Sequence, residues 1–259
     1  MISAYECLAN PTDYAQALGQ ALPLAPPGPK VWPHQTGVWL QRLALRSPRA
    51  EEAVTPAPAS LPTTEWAAGF FGLAPRWAKS LSDAKLRGTK LVNAPAESVA
   101  KSRPFEAAWR EGQRAIVPMA AFFVDDWRSG RPVPTRIARV DGKALCVAGL
   151  WERWEKDGEE RLSFCLLTIN ANGHGLMHRY GPPGADRRML AILGDGARDA
   201  WLTAHPDKAR ELLRPFAAQS LLANPVEKKP KPHPARSPVP APTAPPTPLN
   251  PPAAPTGPG

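Results

Sequence analysis

The sequence predicts an α+β domain, built mainly of antiparallel sheet with peripheral helices, followed by a disordered proline-rich tail. Three observations carry this. First, Thr135–Val140 alternates polar and apolar residues, and two turn pairs, Asp141-Gly142 and Asp157-Gly158, separate it from the runs at 144–154 and 161–169. Such spacing reads as consecutive antiparallel strands in a meander, with both residues of each turn at positive φ. Second, helical signals are few and short. Third, fourteen of the 34 prolines fall between Pro225 and Pro258, where there is no aromatic residue and no apolar period. That composition cannot bury enough surface to offset its ordering entropy, and it predicts polyproline II character. The division predicted is one domain over 1–224 and a tail over 225–259.

In chain order, Asn10 caps a helix that starts at Pro11. Residues 22–31 are irregular. Val38–Leu45 reads as a strand, 46–63 as a loop, and Trp66–Leu73 as a buried strand. Pro104 opens a helix that places Phe105, Ala108 and Trp109 on one side and ends near Gly112. Arg114–Val124 reads as one strand, rich in β-branched and aromatic residues. After the meander comes a long connection from Asn170 to Asp186, rich in Gly and Pro. A strand over Met189–Leu193 and helices over Ala197–Thr203 and Asp207–Leu213 complete the domain.

Charge and cysteines bound the function. The net charge of +9 favours polyanionic partners, nucleic acid first. Cys7, Cys146 and Cys165 are odd in number and show no C-x-x-C spacing, which fits neither a disulfide framework nor a zinc site and points to a reducing compartment. Met1–Glu6 has no basic start and no apolar core, and no apolar run reaches membrane-spanning length. These features predict a cytoplasmic, nucleoid-associated protein with no membrane contact. Phosphate-loop, dinucleotide and nucleophile-elbow motifs are absent. His174 and His178 stand four apart, but Gly173 and Gly175 argue against a helix there, and no third ligand is near. No metal and no cofactor are expected.

The most informative stretch runs from Phe70 to Trp127. Asn93 sits between Leu91-Val92 and Ala94-Pro95, an apolar setting in which a buried carboxamide needs partners. Its motifs resemble those of the SOS-response-associated peptidase (SRAP) family, the abasic-site processing proteins. The resemblance covers about residues 32–215. It lies in F-G-L-A-P-R-W-A-K (71–79), L-V-N-A-P-A-E-S (91–98), R-A-I-V-P-M-A-A-F-F-V-D-D-W (114–127), V-A-G-L-W-E-R-W (147–154), F-C-L-L-T-I-N-A-N (164–172) and D-R-R-M-L-A-I-L (186–193).

The resemblance implies a β-rich α+β fold and a chemistry. In the family, an N-terminal Cys offers an α-amine and a thiol to the aldehyde of an abasic sugar in single-stranded DNA. An Asn orients the sugar, and a Glu and a His move protons. This chain keeps the Asn as Asn93 but departs elsewhere. Ile2 stands at the nucleophile position, Pro95 at the motif's Arg, and Val124 at the catalytic Glu, with Asp125 and Asp126 just after it. Asp186 falls at the His position, and His178 lies eight residues earlier. These departures predict a protein that binds single-stranded or abasic DNA and has lost covalent crosslinking. The DNA contacts expected are Asn93, Arg76, Trp77, Arg103 and Arg187. Two alternatives remain at this stage. One is an active enzyme that uses Cys7 after N-terminal processing, with Asp125 or Asp126 as acid and Asp186 or a displaced His178 carrying protons. The other is an interaction module whose proline-rich tail is a ligand for a protein partner.

Overall fold

The computed structural model describes residue 2 and residues 4–43 and 64–226. The loop expected over 46–63, the basic cluster Lys228-Lys229-Pro230-Lys231 and most of the proline-rich tail lie outside the described residues.

The chain begins with a short strand β1 (Tyr5–Glu6) and helix α1 (Pro11–Leu18). Asn10 and Asp13 form a reciprocal cap at the start of α1, and Gly19 closes it at φ 72°, a left-handed conformation that glycine adopts without steric cost. There follow β2 (Lys30–Val31), β3 (Thr36–Arg42), β4 (Thr64–Phe71), α2 (Leu81–Gly88), β5 (Asn93–Pro95) and α3 (Glu106–Arg110). The second half contains β6 (Arg114–Met119), β7 (Ala121–Asp126), β8 (Val133–Arg139), β9 (Leu145–Lys156), β10 (Glu159–Asn170) and β11 (Arg188–Leu190). It ends with α4 (Arg198–Thr203), α5 (Pro206–Ala209) and β12 (Leu221–Pro225).

The α+β class stands: the strands dominate, mostly antiparallel, and the helices are short. One sheet runs β12-β8-β7-β1-β2. The other runs β11-β10-β4-β3-β6-β9, and because β9 also pairs with β10, five of its strands close on themselves. A closed circuit of strands leaves no free edge between its members. β10 is the hub. Its first part pairs with β9 and touches β4 at Ser163 and Phe164, and its second part pairs with β5 over 166–168 and β11 over 168–170. The contacts with β4 and β5 are parallel, so the sheet is mixed.

Three local expectations need correction. The run Arg114–Val124 is two strands in different sheets, β6 beside β9 and β7 beside β8, with Ala120 at the corner donating its N–H to Glu6 O. A period of two locates a strand but does not say which sheet it joins. The predicted meander is only its second half. β9 and β10 form a hairpin through Asp157 (φ 52°) and Gly158 (φ 79°), whereas β8 pairs with β7 and β12 and not with β9. At the first turn Gly142 alone has positive φ. The Asp141 carboxylate is held instead by Arg139 and by Lys143 N–H, so the turn redirects the chain between sheets. At the C-terminal side, β12 includes Pro225, and Val226 N–H donates to Pro134 O.

The core fills the closed circuit with an aromatic cluster. Phe71 and Phe164 stack at 5.4 Å, Tyr5 meets Phe71 edge-on at 5.5 Å, and Trp39 leans on Phe164 at 5.1 Å. Gly37 in β3 is where this cluster touches backbone. A Cβ there would lie 2.2 Å from the Tyr5 hydroxyl oxygen and 2.7 Å from Phe164. Gly37→Ala is therefore expected to lose about 1–3 kcal/mol of stability through overpacking. Urea unfolding checks this, and an unchanged midpoint would show that the cluster yields freely.

Candidate functional site

Asn93 opens β5, opposite Leu166 of β10. That register buries its side chain to 7% exposure. Its Nδ2 donates to the backbone oxygen of Ile2 at 2.7 Å, and its Oδ1 is buried without a hydrogen-bond partner. The carboxamide thus ties the start of the chain to the hub strand. Ile2 is itself 2% exposed.

Two residues further along β10, Thr168 O accepts from Ala96 N–H at 2.9 Å and from Arg188 Nη2 at 2.7 Å. Arg188, the first residue of β11, also donates to Glu97 Oε2 at 2.7 Å, while Glu97 Oε1 accepts from Asn170 N–H. Burial pushes the Glu97 carboxyl up, but Arg188 and the backbone donors outweigh it and hold it below the ordinary carboxylate value.

These groups wall two adjoining hollows. A cavity of about 170 Å³ is lined by Ile2 and Val124 on its apolar side and by Asp125, Trp127, Tyr180 and Asp186 at its polar rim. A more open cleft of about 460 Å³ is lined by Asn93, Pro95, Glu97, Ser98 and Asn170. Thr168, Asp186 and Arg188 belong to both. Trp127 Nε1 is a second buried polar atom without a partner. The arrangement offers an acceptor, Asn93 Oδ1, and a donor, Trp127 Nε1, beside an apolar wall. It can orient a small polar group, but neither Ile2 nor Val124 can attack a carbon or transfer a proton.

The expected site residues separate into groups. Asn93 and Asp186 meet here, with Val124 and Asp125. Asp186 is exposed and has no ion pair among the described residues. His178 is exposed and does not line either hollow; its Nδ1 lies 2.6 Å from His174 O. Cys7 lines a different cleft with Asp13, Asp195 and Arg198, and burial pushes its thiol up to about 12. Its N–H donates to Pro29 O. It lies five positions after Ile2 in the sequence.

The expected DNA contacts also separate. Arg103 does meet Trp77: its guanidinium lies 4.7 Å from the ring centroid, and Arg87 of α2 lies 4.6 Å from the same ring. Trp77 is 39% exposed. Arg187 donates to Pro182 O and carries no ion pair among the described residues. Arg76 is committed inside the protein. Its Nε donates to buried Glu152 at 2.6 Å, and both Nη atoms donate to Glu111.

Reading the sequence missed Thr168, Trp127, Tyr180 and Arg187's neighbour Arg188 as site residues. No local pattern marks Arg188; it is placed by the pairing of β11 with β10, opposite Asn170. Among the described residues no group of three or more His, Cys, Asp or Glu side chains is placed to hold a metal. No described helix is long and apolar enough to cross a membrane.

A β-rich α+β domain with a closed strand circuit, and with a buried carboxamide holding the N-terminal segment against an open polar cleft, is a defined class of protein. The chain belongs to the SOS response associated peptidase (SRAP) family, whose model matches residues 3–230. It is 30% identical over 138 residues to abasic site processing protein YedK of Escherichia coli K12, a match covering 51% of this chain and 53% of YedK. It is 28% identical over 164 residues to abasic site processing protein YMR114C of Saccharomyces cerevisiae, covering 59% of this chain and 40% of that protein. The matched segments thus span about half the length of these curated relatives. A solved protein of Bordetella bronchiseptica superposes with a TM-score of 0.74 at 33% identity, covering 87% of this chain and 100% of that one. A phage-related protein of the same organism, at 18% identity and a TM-score of 0.61, shares the fold.

The Arg76 ion pair gives a prediction. Glu152 is 1% exposed, and burial raises its carboxyl above the ordinary value despite Arg76. Arg76→Met leaves that carboxylate buried without its partner. The expected loss at neutral pH is about 2 kcal/mol, below the value for a fully buried pair because Arg76 is half in solvent. A raised folded-state pKa means stability present at low pH and lost as pH rises. The deficit should therefore shrink as pH falls toward about 4.5 and Glu152 takes up a proton. Thermal melts across that range check it; a pH-independent deficit would contradict it.

Proposed function

We propose that this chain binds single-stranded DNA at abasic sites and holds them without covalent capture. SRAP membership and two relatives named as abasic site processing proteins support the substrate class. The single observation that carries the non-covalent part is at the cavity: Ile2 and Val124 stand at the positions of the family's thiol and acid, and neither side chain offers a nucleophile or a proton.

In this reading the open cleft takes the strand, and Asn93 faces the ring-opened or ring-closed sugar. Asn93 Oδ1 is already buried and unpartnered, so a sugar hydroxyl meeting it forms a hydrogen bond with little further desolvation cost. Arg187, between Asp186 and Arg188 in sequence and without an ion pair among the described residues, is the phosphate contact in this reading. The Trp77 ring with Arg87 and Arg103 presents guanidinium and indole planes, on which unpaired bases stack. Arg188 is the weaker phosphate contact because Glu97 and Thr168 already take its Nε and Nη2. The context in this reading is DNA repair, supported by the SOS response in the family's name and the abasic site processing names of the relatives.

Asn93→Ala should weaken binding to a single-stranded oligonucleotide carrying one abasic site by about tenfold, the worth of one buried hydrogen bond. Binding to the undamaged strand should change little. Fluorescence anisotropy with both strands measures this, with a melt of the variant to establish that it folds. An equal dissociation constant for wild type and variant on the abasic strand would remove Asn93 from sugar recognition.

A further inference from the structure

Arg114 is the first residue of β6, and it is 2% exposed. Its Nε and Nη2 are buried and make no hydrogen bond, and no carboxylate pairs with it among the described residues. Two indoles stand where a counterion would be. The guanidinium lies 5.3 Å from the Trp109 ring centroid and 5.2 Å from that of Trp201. Trp201 is fixed by its Nε1 donating to Ala115 O at 2.9 Å. Cation–π contacts offset only part of the cost of burying an ion. Burial accordingly pulls Arg114 down to about 10, so it remains a cation at neutral pH.

A Cβ at Gly112 would come within 3.1 Å of Arg114 Nη1, and Gly112 has φ +68°, so a glycine serves both the turn and the approach. Gly112 and Arg114 line an open cleft of about 550 Å³, together with Arg42, Arg110, Glu111 and His205. The one carboxylate, Glu111, is compensated by Arg76. Arg110 pairs only loosely, at 3.7 Å and in solvent, with Glu106, so the cleft keeps a cationic lining, with the buried Arg114 in its wall.

We propose that this cleft is a phosphate-binding site, with Arg114 as its deep donor and Arg110 and Arg42 as rim cations. A planar guanidinium matches two phosphate oxygens at once, and a charge-assisted bond made in a buried setting is among the stronger ones. The cleft shares no lining residue with the Asn93 site, so the proposal does not rest on the reading of that site. The phosphate belongs either to a small phosphorylated compound or to the backbone of a nucleic-acid strand.

The test is a titration of the full chain with pyrophosphate, and separately with an undamaged single-stranded oligonucleotide. Tryptophan fluorescence is followed against sodium chloride at matched ionic strength, because Trp109 and Trp201 flank the donor. Pyrophosphate should give a saturable change. It should weaken about tenfold or more in Arg110→Glu, by loss and reversal of a rim charge, and should persist in Asn93→Ala. It should vanish in Arg114→Met. That variant also alters the core, so Arg110→Glu carries the test if it does not fold. If the oligonucleotide competes with pyrophosphate, the source is a nucleic-acid strand; if it leaves the signal unchanged, the source is a small phosphate compound. No saturable change with pyrophosphate, or one that survives Arg110→Glu at full strength, overturns the proposal.

Discussion

Strand β10 is the constraint on which the rest depends. It has partners along both edges, and the partners change partway along its length. The first part closes the strand circuit with β9 and β4, burying Phe164 among Trp39, Phe71 and Tyr5. The second part is the scaffold of the site. Leu166 sets the register of Asn93, and Asn170 sets that of Arg188. Because side chains alternate across a strand, a slip of one residue in either pairing would turn Asn93 or Arg188 to the wrong face. Site geometry and core packing are thus consequences of the same ladder.

The sequence was most legible where the physics is local. The α1 cap, the Asp157-Gly158 turn and the helix carrying Phe105, Ala108 and Trp109 all depend on neighbours a few residues apart. The motif around Asn93 was legible by resemblance, and its burial followed from its apolar flanks. What the sequence hid depends on distant partners. Asn93 meets a backbone oxygen at residue 2, Arg76 meets carboxylates at 111 and 152, and Arg114 meets an indole at 201. No local pattern records those meetings. The placement of β8 in the smaller sheet was hidden because an alternating pattern names no partner: β8 pairs with β7 before it and with β12 far along the chain, not with β9 after it.

Net charge is a poor guide to where a polyanion would sit. Much of the positive charge in the described part is already engaged: Arg76 with Glu111 and Glu152, Arg136 with Glu6, Arg139 with Asp141, Arg188 with Glu97, and Arg198 with Asp195. Exposed pairs of this kind stabilise little individually, but they take arginines out of the set able to meet phosphate. Among the described residues, Arg42, Arg103, Arg187 and, in a different way, Arg114 are arginines whose surroundings leave donors for a ligand. Function is therefore argued from those positions and from the unpartnered atoms of Asn93 and Trp127, not from the total of +9.

The central claim is binding at an abasic site without a covalent bond, and one gel experiment addresses it directly. The purified chain is incubated with a single-stranded oligonucleotide carrying one abasic site, beside an undamaged strand. Each mixture is then run on native and denaturing gels. The account predicts a native shift that favours the abasic strand and no slow band under denaturing conditions. A slow band that survives denaturation would mean that the chain supplies a nucleophile the Ile2 and Val124 cavity wall does not contain, and would contradict it.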